Sequence, residues 1–192
     1  MGEAEQIYVF VGGKIALLRR ADPWARGILA ELRRGVGKDL SDTPGTWDIM
    51  FDGMPDFPGS GVANKAELAI HTALTLYSLH QQSNDVTVSA KDEDVNRKSF
   101  ATGCRRLISP GGKSEQAVKR RFDALITADS LTEFSYHARG FVQMMRTSDV
   151  PILVDYPQLA KDLYFYQFPE GKKRVLLKWG RDFYRVKSDN TK

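Results

Sequence analysis

The residues of this chain whose types and spacing could do chemistry are its arginines. Arg174, Lys178, Arg181 and Arg185 are spaced i, i+4, i+7 and i+11. On a helix turning about 100° per residue they fall within one ~60° sector. Arg139 and Arg146 stand seven apart, as do Arg26 and Arg33, and Lys98 and Arg105. Arg34 follows Arg33, and Lys119, Arg120 and Arg121 place three charges on one turn. The chemistry such rows offer is phosphate neutralisation. A guanidinium presents a fixed fork of donors that matches phosphate oxygens in pairs, and it is weakly hydrated. Rows like these also border ordinary solvated helices, and a helix C-terminus favours cations without any ligand. Nucleic acid, a subunit contact and plain solvation therefore all fit them. The basic faces hold few aromatics, so base stacking is not expected. Backbone tracking without sequence readout is the expected mode. No recognition-helix motif, RNP sequence or zinc module is present.

Other groups resemble chemical motifs and fall short. Gly112-Lys113-Ser114 looks like the end of a P-loop, but Leu107 stands where the first glycine belongs, and an amphipathic helix precedes it in place of a strand. Gly59-Ser60-Gly61 opens like a dinucleotide fingerprint, but Asn64 replaces the third glycine. Asp48, Asp52 and Asp56 recur every four residues as conceivable metal ligands. Gly53 and Pro55 break any helix that would align them, so they read as exposed loop acids. His71 and His80 are not at the i, i+4 spacing that lets two imidazoles share an ion. With His137 they read as packed or surface residues. Cys104 lies on an apolar stripe and reads as a small buried hydrophobe. No catalytic centre, cofactor or metal is expected.

The elements that must position these side chains are helices. Asp22-Pro23 reads as an N-cap with proline at the first helical position, leading a helix with Trp24, Ile28, Leu29 and Leu32 on one face, ending near Gly35 and Gly37. Thr43-Pro44 repeats the signal before a short segment at 47–51, and 52–61 reads as a loop. The segment 62–80 is apolar nearly all round, which marks a central helix. Residues 83–94 read as a polar linker and the internal boundary. Four periodic segments follow. Phe100, Cys104, Leu107 and Ile108 share a face, as do Val118, Phe122, Leu125 and Ile126. Ser130 and Glu133 form a capping box ahead of Phe134, Ala138, Phe141, Val142 and Met145. Asp155 caps a helix with Leu159, Leu163 and Tyr164. The last helix, about 170–187, turns Val175, Leu176, Trp179, Phe183 and Val186 inward. Val86-Thr87-Val88 and Ile152-Leu153-Val154 are too short to build a sheet. The expected fold is all-α, eight or nine helices in two packed bundles, 1–94 and 95–192.

With 192 residues, 42% hydrophobic and 27% charged, the chain is globular and long enough for a real core. A single cysteine excludes an intramolecular disulfide. No apolar run reaches the ~18 residues of a membrane span, and Glu3 and Glu5 stand where a signal peptide would be basic. A reducing cytoplasm is the expected compartment. The net charge of +4 conceals an acidic block over 39–95 between basic blocks at 19–38 and 96–121, with another basic block at 170–187. Segregation of this kind suggests an electropositive side facing a polyanion or an acidic partner.

Five short motifs, in this order, carry a resemblance. They are Leu32-Arg33-Arg34-Gly35; Arg120-Arg121-Phe122 with Leu125-Ile126; Ala138-Arg139-Gly140; Val154-Asp155-Tyr156 with Leu159 and Asp162-Leu163; and Lys178-Trp179-Gly180-Arg181-Asp182-Phe183-Tyr184. From about Trp24 to Arg185 the chain resembles the CasB family, the small subunit of the type I-E CRISPR surveillance complex Cascade. The resemblance implies two helical bundles without enzymatic activity. It implies a second copy of the chain in the complex and contacts with the backbone and large subunits. The pair would lie along the hybrid of guide RNA and target DNA, and its basic surface would help hold the displaced non-target strand. By the resemblance Arg33, Arg34, Arg120, Arg121, Arg139 and Arg181 occupy the family's basic positions. Arg105, Arg146, Arg174, Lys178 and Arg185 rest on helical geometry. Two further readings compete: a scaffold whose basic faces dock on other subunits with little DNA contact, and a small nuclease using Asp48, Asp52 and Asp56.

Overall fold

A computed structural model describes residues 1–20, 22–59, 61–90, 99–108 and 115–185. Lys98, the Gly112-Lys113-Ser114 motif, Val186 and the expected boundary at 94–95 lie outside them. The described residues form nine α-helices: α1 (Glu3–Leu18), α2 (Pro23–Arg34), α3 (Trp47–Phe51), α4 (Lys65–Gln81), α5 (Phe100–Arg106), α6 (Glu115–Ile126), α7 (Leu131–Arg146), α8 (Tyr156–Tyr166) and α9 (Pro169–Tyr184).

The helix starts follow from local chemistry. Asp22 accepts from the Ala25 amide at 2.8 Å, Asp155 from Gln158 at 2.8 Å and Ser130 from Glu133 at 3.1 Å; each satisfies an orphan donor of a first turn. The Glu133 carboxylate accepts from the Asp129 amide at 2.9 Å, one residue before the expected capping-box partner. Asn64 makes a reciprocal capping box with Glu67, so the residue that spoils the dinucleotide fingerprint starts the central helix. Thr43 caps nothing. Two 3-10 turns, Leu40–Asp42 and Pro44–Thr46, flank it, and its hydroxyl donates to the Leu40 carbonyl.

Helices α1, α2 and α4 pack together, and α5 to α9 form a second set; α1 on α8 and α4 on α7 and α8 join the two. The core runs without interruption through both. α4 is buried from Ala69 to His80 on every side, as its apolar circumference requires. Most of its buried polar side chains are bonded internally: Thr75 to the Thr72 carbonyl, Ser78 to the Thr75 carbonyl, His71 with Thr43 and His80 with Tyr156; the Tyr77 hydroxyl is buried with no hydrogen-bond partner among the described residues. Burial pushes both imidazoles down to a pKa of about 4, so they are neutral packing groups. Cys104 is fully buried, and burial pushes its thiol up.

One expectation needs correction, and α1 was not among the expected helices. The segment 3–18 is a helix although Gly12, Gly13 and Lys14 interrupt its apolar pattern; packing on α8 outweighs the low propensity of glycine. Trp24 is exposed, not on the buried face of α2. In the described part of the expected linker, 83–90, Ser89 forms an isolated parallel β-bridge with Val154, the Val154 amide donating to the Val88 carbonyl and Ala90 to that of Val154; among the described residues the two short fragments build no sheet.

Candidate nucleic-acid interface

Helix α7 buries Phe134, Ala138, Phe141, Val142 and Met145. Its opposite side carries Tyr136, Arg139 and Gln143, all exposed, and half-buried Arg146. α6 packs alongside it through Val118, Phe122 and Leu125 and lays Arg121 across Gly140; a Cβ there would stand 3.8 Å from Arg121 Nη1. Arg121, Tyr136, His137, Arg139, Gly140 and Gln143 line a notch of about 360 Å³. Arg121, Gly140 and Gln143 also line a second notch of about 580 Å³ that reaches Arg146 and Thr147. The two are one trough with arginines along its length.

Arg146 also lies near enough to Arg33 of α2 for the two charges to interact. The Arg33 guanidinium is held below its ordinary pKa by burial and then by the positive charges of Arg34 and Arg146. Arg34 is paired with Glu31. No described carboxylate lies within ion-pair distance of Arg33, Arg121, Arg139 or Arg146. Uncompensated like charges repel, and an anion bridging them relieves the repulsion.

The other expected positions lie apart from this trough. Arg105 sits 3.5 Å from Glu115, which Lys119 holds at 2.9 Å. Hydrogen bonding from Lys119 and its charge hold the Glu115 carboxyl below the usual carboxylate range. Arg120, Arg174 and Arg181 are exposed. Arg185 is the C-cap of α9, which ends at Tyr184; with φ −71° and its amide donating to the Arg181 carbonyl at 3.0 Å, its side chain still leaves the helix in phase with the row. Lys178 turns to Asp162, with Nζ donating at 2.8 and 3.1 Å. The exposed members of the last-helix row are thus Arg174, Arg181 and Arg185.

Tyr136 is the residue that sequence reasoning missed. It is 75% exposed and stands edge-on to His137, ring centroids 5.3 Å apart. It is one of the few aromatics on the basic faces, and it shares a notch with Arg121 and Arg139. The available signal was its position three residues before Arg139, off the apolar stripe. Of the conceivable metal acids, Asp52 pairs with the buried Lys14 ammonium at 3.2 Å. Among the described residues no group of three or more His, Cys, Asp or Glu could hold a metal ion, and no helix is long and apolar enough to cross a membrane.

A second surface differs in chemistry. Exposed Trp47, Phe51 and Val62 border a groove of about 690 Å³ with Asp39 and Glu67 on its walls.

Residues 28–184 match the profile of the family described as CRISPR-associated protein Cse2. CasB from Thermobifida fusca is similar at 29% identity, with a TM-score of 0.75 over 94% of this chain and 98% of that one. CasB from Thermus thermophilus shares the fold at 20% identity and a TM-score of 0.66, over 96% and 99% of the two chains. So does a chain of a CRISPR RNA-guided surveillance complex, at 15% identity and a TM-score of 0.67, over 92% and 95%. No curated protein matches.

Proposed function

The chain belongs to the CRISPR-associated Cse2 family, and on that premise we propose that it is a non-catalytic small subunit of a type I-E RNA-guided surveillance complex, Cascade, acting in the cytoplasm. Its partners are the backbone and large subunits, a second copy of itself, the guide RNA, and target and non-target DNA. The observation that carries the reading is the trough lined by Arg121, Arg139 and Arg146, with Arg33 near enough to Arg146 to feel its charge, and no described carboxylate pairs with any of the four. Forming a guide–target hybrid while opening DNA is nearly balanced in energy. Phosphates of the ejected strand bound in the trough would tip that balance. With four phosphates neutralised, the log–log salt slope on single strands is about −2.8, at roughly 0.7 per contact.

A second reading, protein docking, is favoured by the aromatic groove. An exposed apolar patch rimmed by acids suits another subunit's basic and aliphatic residues, and the two roles are compatible. Charge reversal at Arg139 and at Arg181 separates them. Intact assembly with weakened strand opening in Arg139→Glu supports strand binding. Lost assembly, or wild-type strand opening, assigns these arginines to docking or to neither role.

A further inference from the structure

Tyr136 gives the trough a property that phosphate tracking does not need. A tyrosine three-quarters exposed leaves a large apolar ring in water, and its hydroxyl has no partner among the described residues. The ring is not a stray surface residue. It shares the notch with Arg121, Arg139 and Gln143, and His137 props it edge-on at 76°, which leaves ring face uncovered. The other half-exposed tyrosine of this region, Tyr184, is committed: its hydroxyl donates to Asp123 at 3.1 Å and its ring meets Phe122 and Phe183 edge-on.

We propose that the trough selects single-stranded polynucleotide over duplex, with one unstacked base lying on the ring of Tyr136 while Arg121 and Arg139 hold the flanking phosphates. This rests on the strand-binding reading of the same site. In a duplex the base faces are covered by their neighbours, so only phosphates can reach the trough. In a single strand each base has an open π-face, and stacking on an aromatic is tolerant of sequence. Gln143, beside the ring, offers a donor and an acceptor to a base edge or sugar.

The test measures binding of the full chain to labelled oligo-dT, oligo-rU, an abasic strand of equal charge and a duplex, across a salt series. The wild type is expected to bind at least one of oligo-dT and oligo-rU roughly 5- to 150-fold tighter than the abasic strand, and the comparison of the two reads which sugar is preferred. Tyr136→Ala should lose that factor with its salt slope unchanged, and Tyr136→Phe should keep it. Arg139→Ala should make the slope shallower by about 0.7. If Tyr136→Ala binds like the wild type while Arg139→Ala weakens binding, stacking is overturned and the trough reading stands. If the wild type binds no polynucleotide, both fall. If Tyr136→Ala loses only assembly with the other subunits, the ring is a protein contact and the inference is overturned. Because Tyr136 is exposed, its substitution leaves the thermal midpoint as a control on folding.

Discussion

Lys178→Ala, set beside Arg139→Ala, separates a structural cation from a binding one although the sequence presents both in arginine-rich rows. Asp162 is 5% exposed. It accepts from Lys178 Nζ at 2.8 Å, from Trp179 Nε1 at 2.9 Å and from Gln158 Nε2 at 2.7 Å. The carboxylate is buried, but the lysine side chain is 41% exposed, so solvent screens part of the attraction. Removing the lysine leaves the carboxylate two neutral donors and costs about 1–2 kcal/mol. Removing the acid with Asp162→Ala orphans the buried indole N–H while the part-exposed ammonium turns to water, about 1–3 kcal/mol. At roughly 2–4 °C per kcal/mol for a chain of this size, the thermal midpoint falls by about 2–8 °C and about 2–12 °C respectively. Thermal unfolding followed by circular dichroism, with oligo-dT binding at two salt concentrations, reads both properties. Lys178→Ala should lower the midpoint and leave the salt slope alone; Arg139→Ala should do the reverse. An unchanged midpoint in Lys178→Ala, with a slope loss equal to that of Arg139→Ala, would refute the assignment of Lys178 to the fold.

Two glycines should respond oppositely to alanine. At Gly171 a Cβ would lie 2.2 Å from the Phe165 carbonyl oxygen, so the α8–α9 turn must shift, and a loss of about 2–4 kcal/mol is expected in urea unfolding. Gly140→Ala meets only ordinary contact with Arg121 and should gain about 0.5–1 kcal/mol from helix propensity with polynucleotide binding retained. The buried histidines set an acid limit. Their folded pKa values, about 4, lie below the ordinary 6.5, so their contribution is full above pH 6.5 and is lost as pH falls towards 4. The loss is on the order of 3 kcal/mol for each ring. Urea titrations at falling pH should show this slope, and His71→Gln with His80→Gln should flatten it.

The local half of this protein was legible in its residues. Asp22-Pro23, Ser130 and Asp155 announce helix starts because an N-cap is an interaction within one turn. The stripes of α6, α7, α8 and α9 and the apolar circumference of α4 announce which faces are buried, because helical period is a property of a single segment. Gly12 and Gly13 hid α1, since that helix is stabilised by α8, more than a hundred residues away in the chain. The trough was hidden for the same reason. Arg121 and Arg146 come from two helices and Arg33 from a third, and their nearness depends on how α6 seats on α7 and on the tertiary packing that brings Arg146 near Arg33. Lys178 shows the converse: its row on the helical wheel is real, but Asp162 draws its ammonium inward. Sequence alone determined which side chains each helix offers to water and to the core. Only tertiary packing decided which offered charges stand together, because proximity between helices is set by interdigitating side chains that no single segment contains.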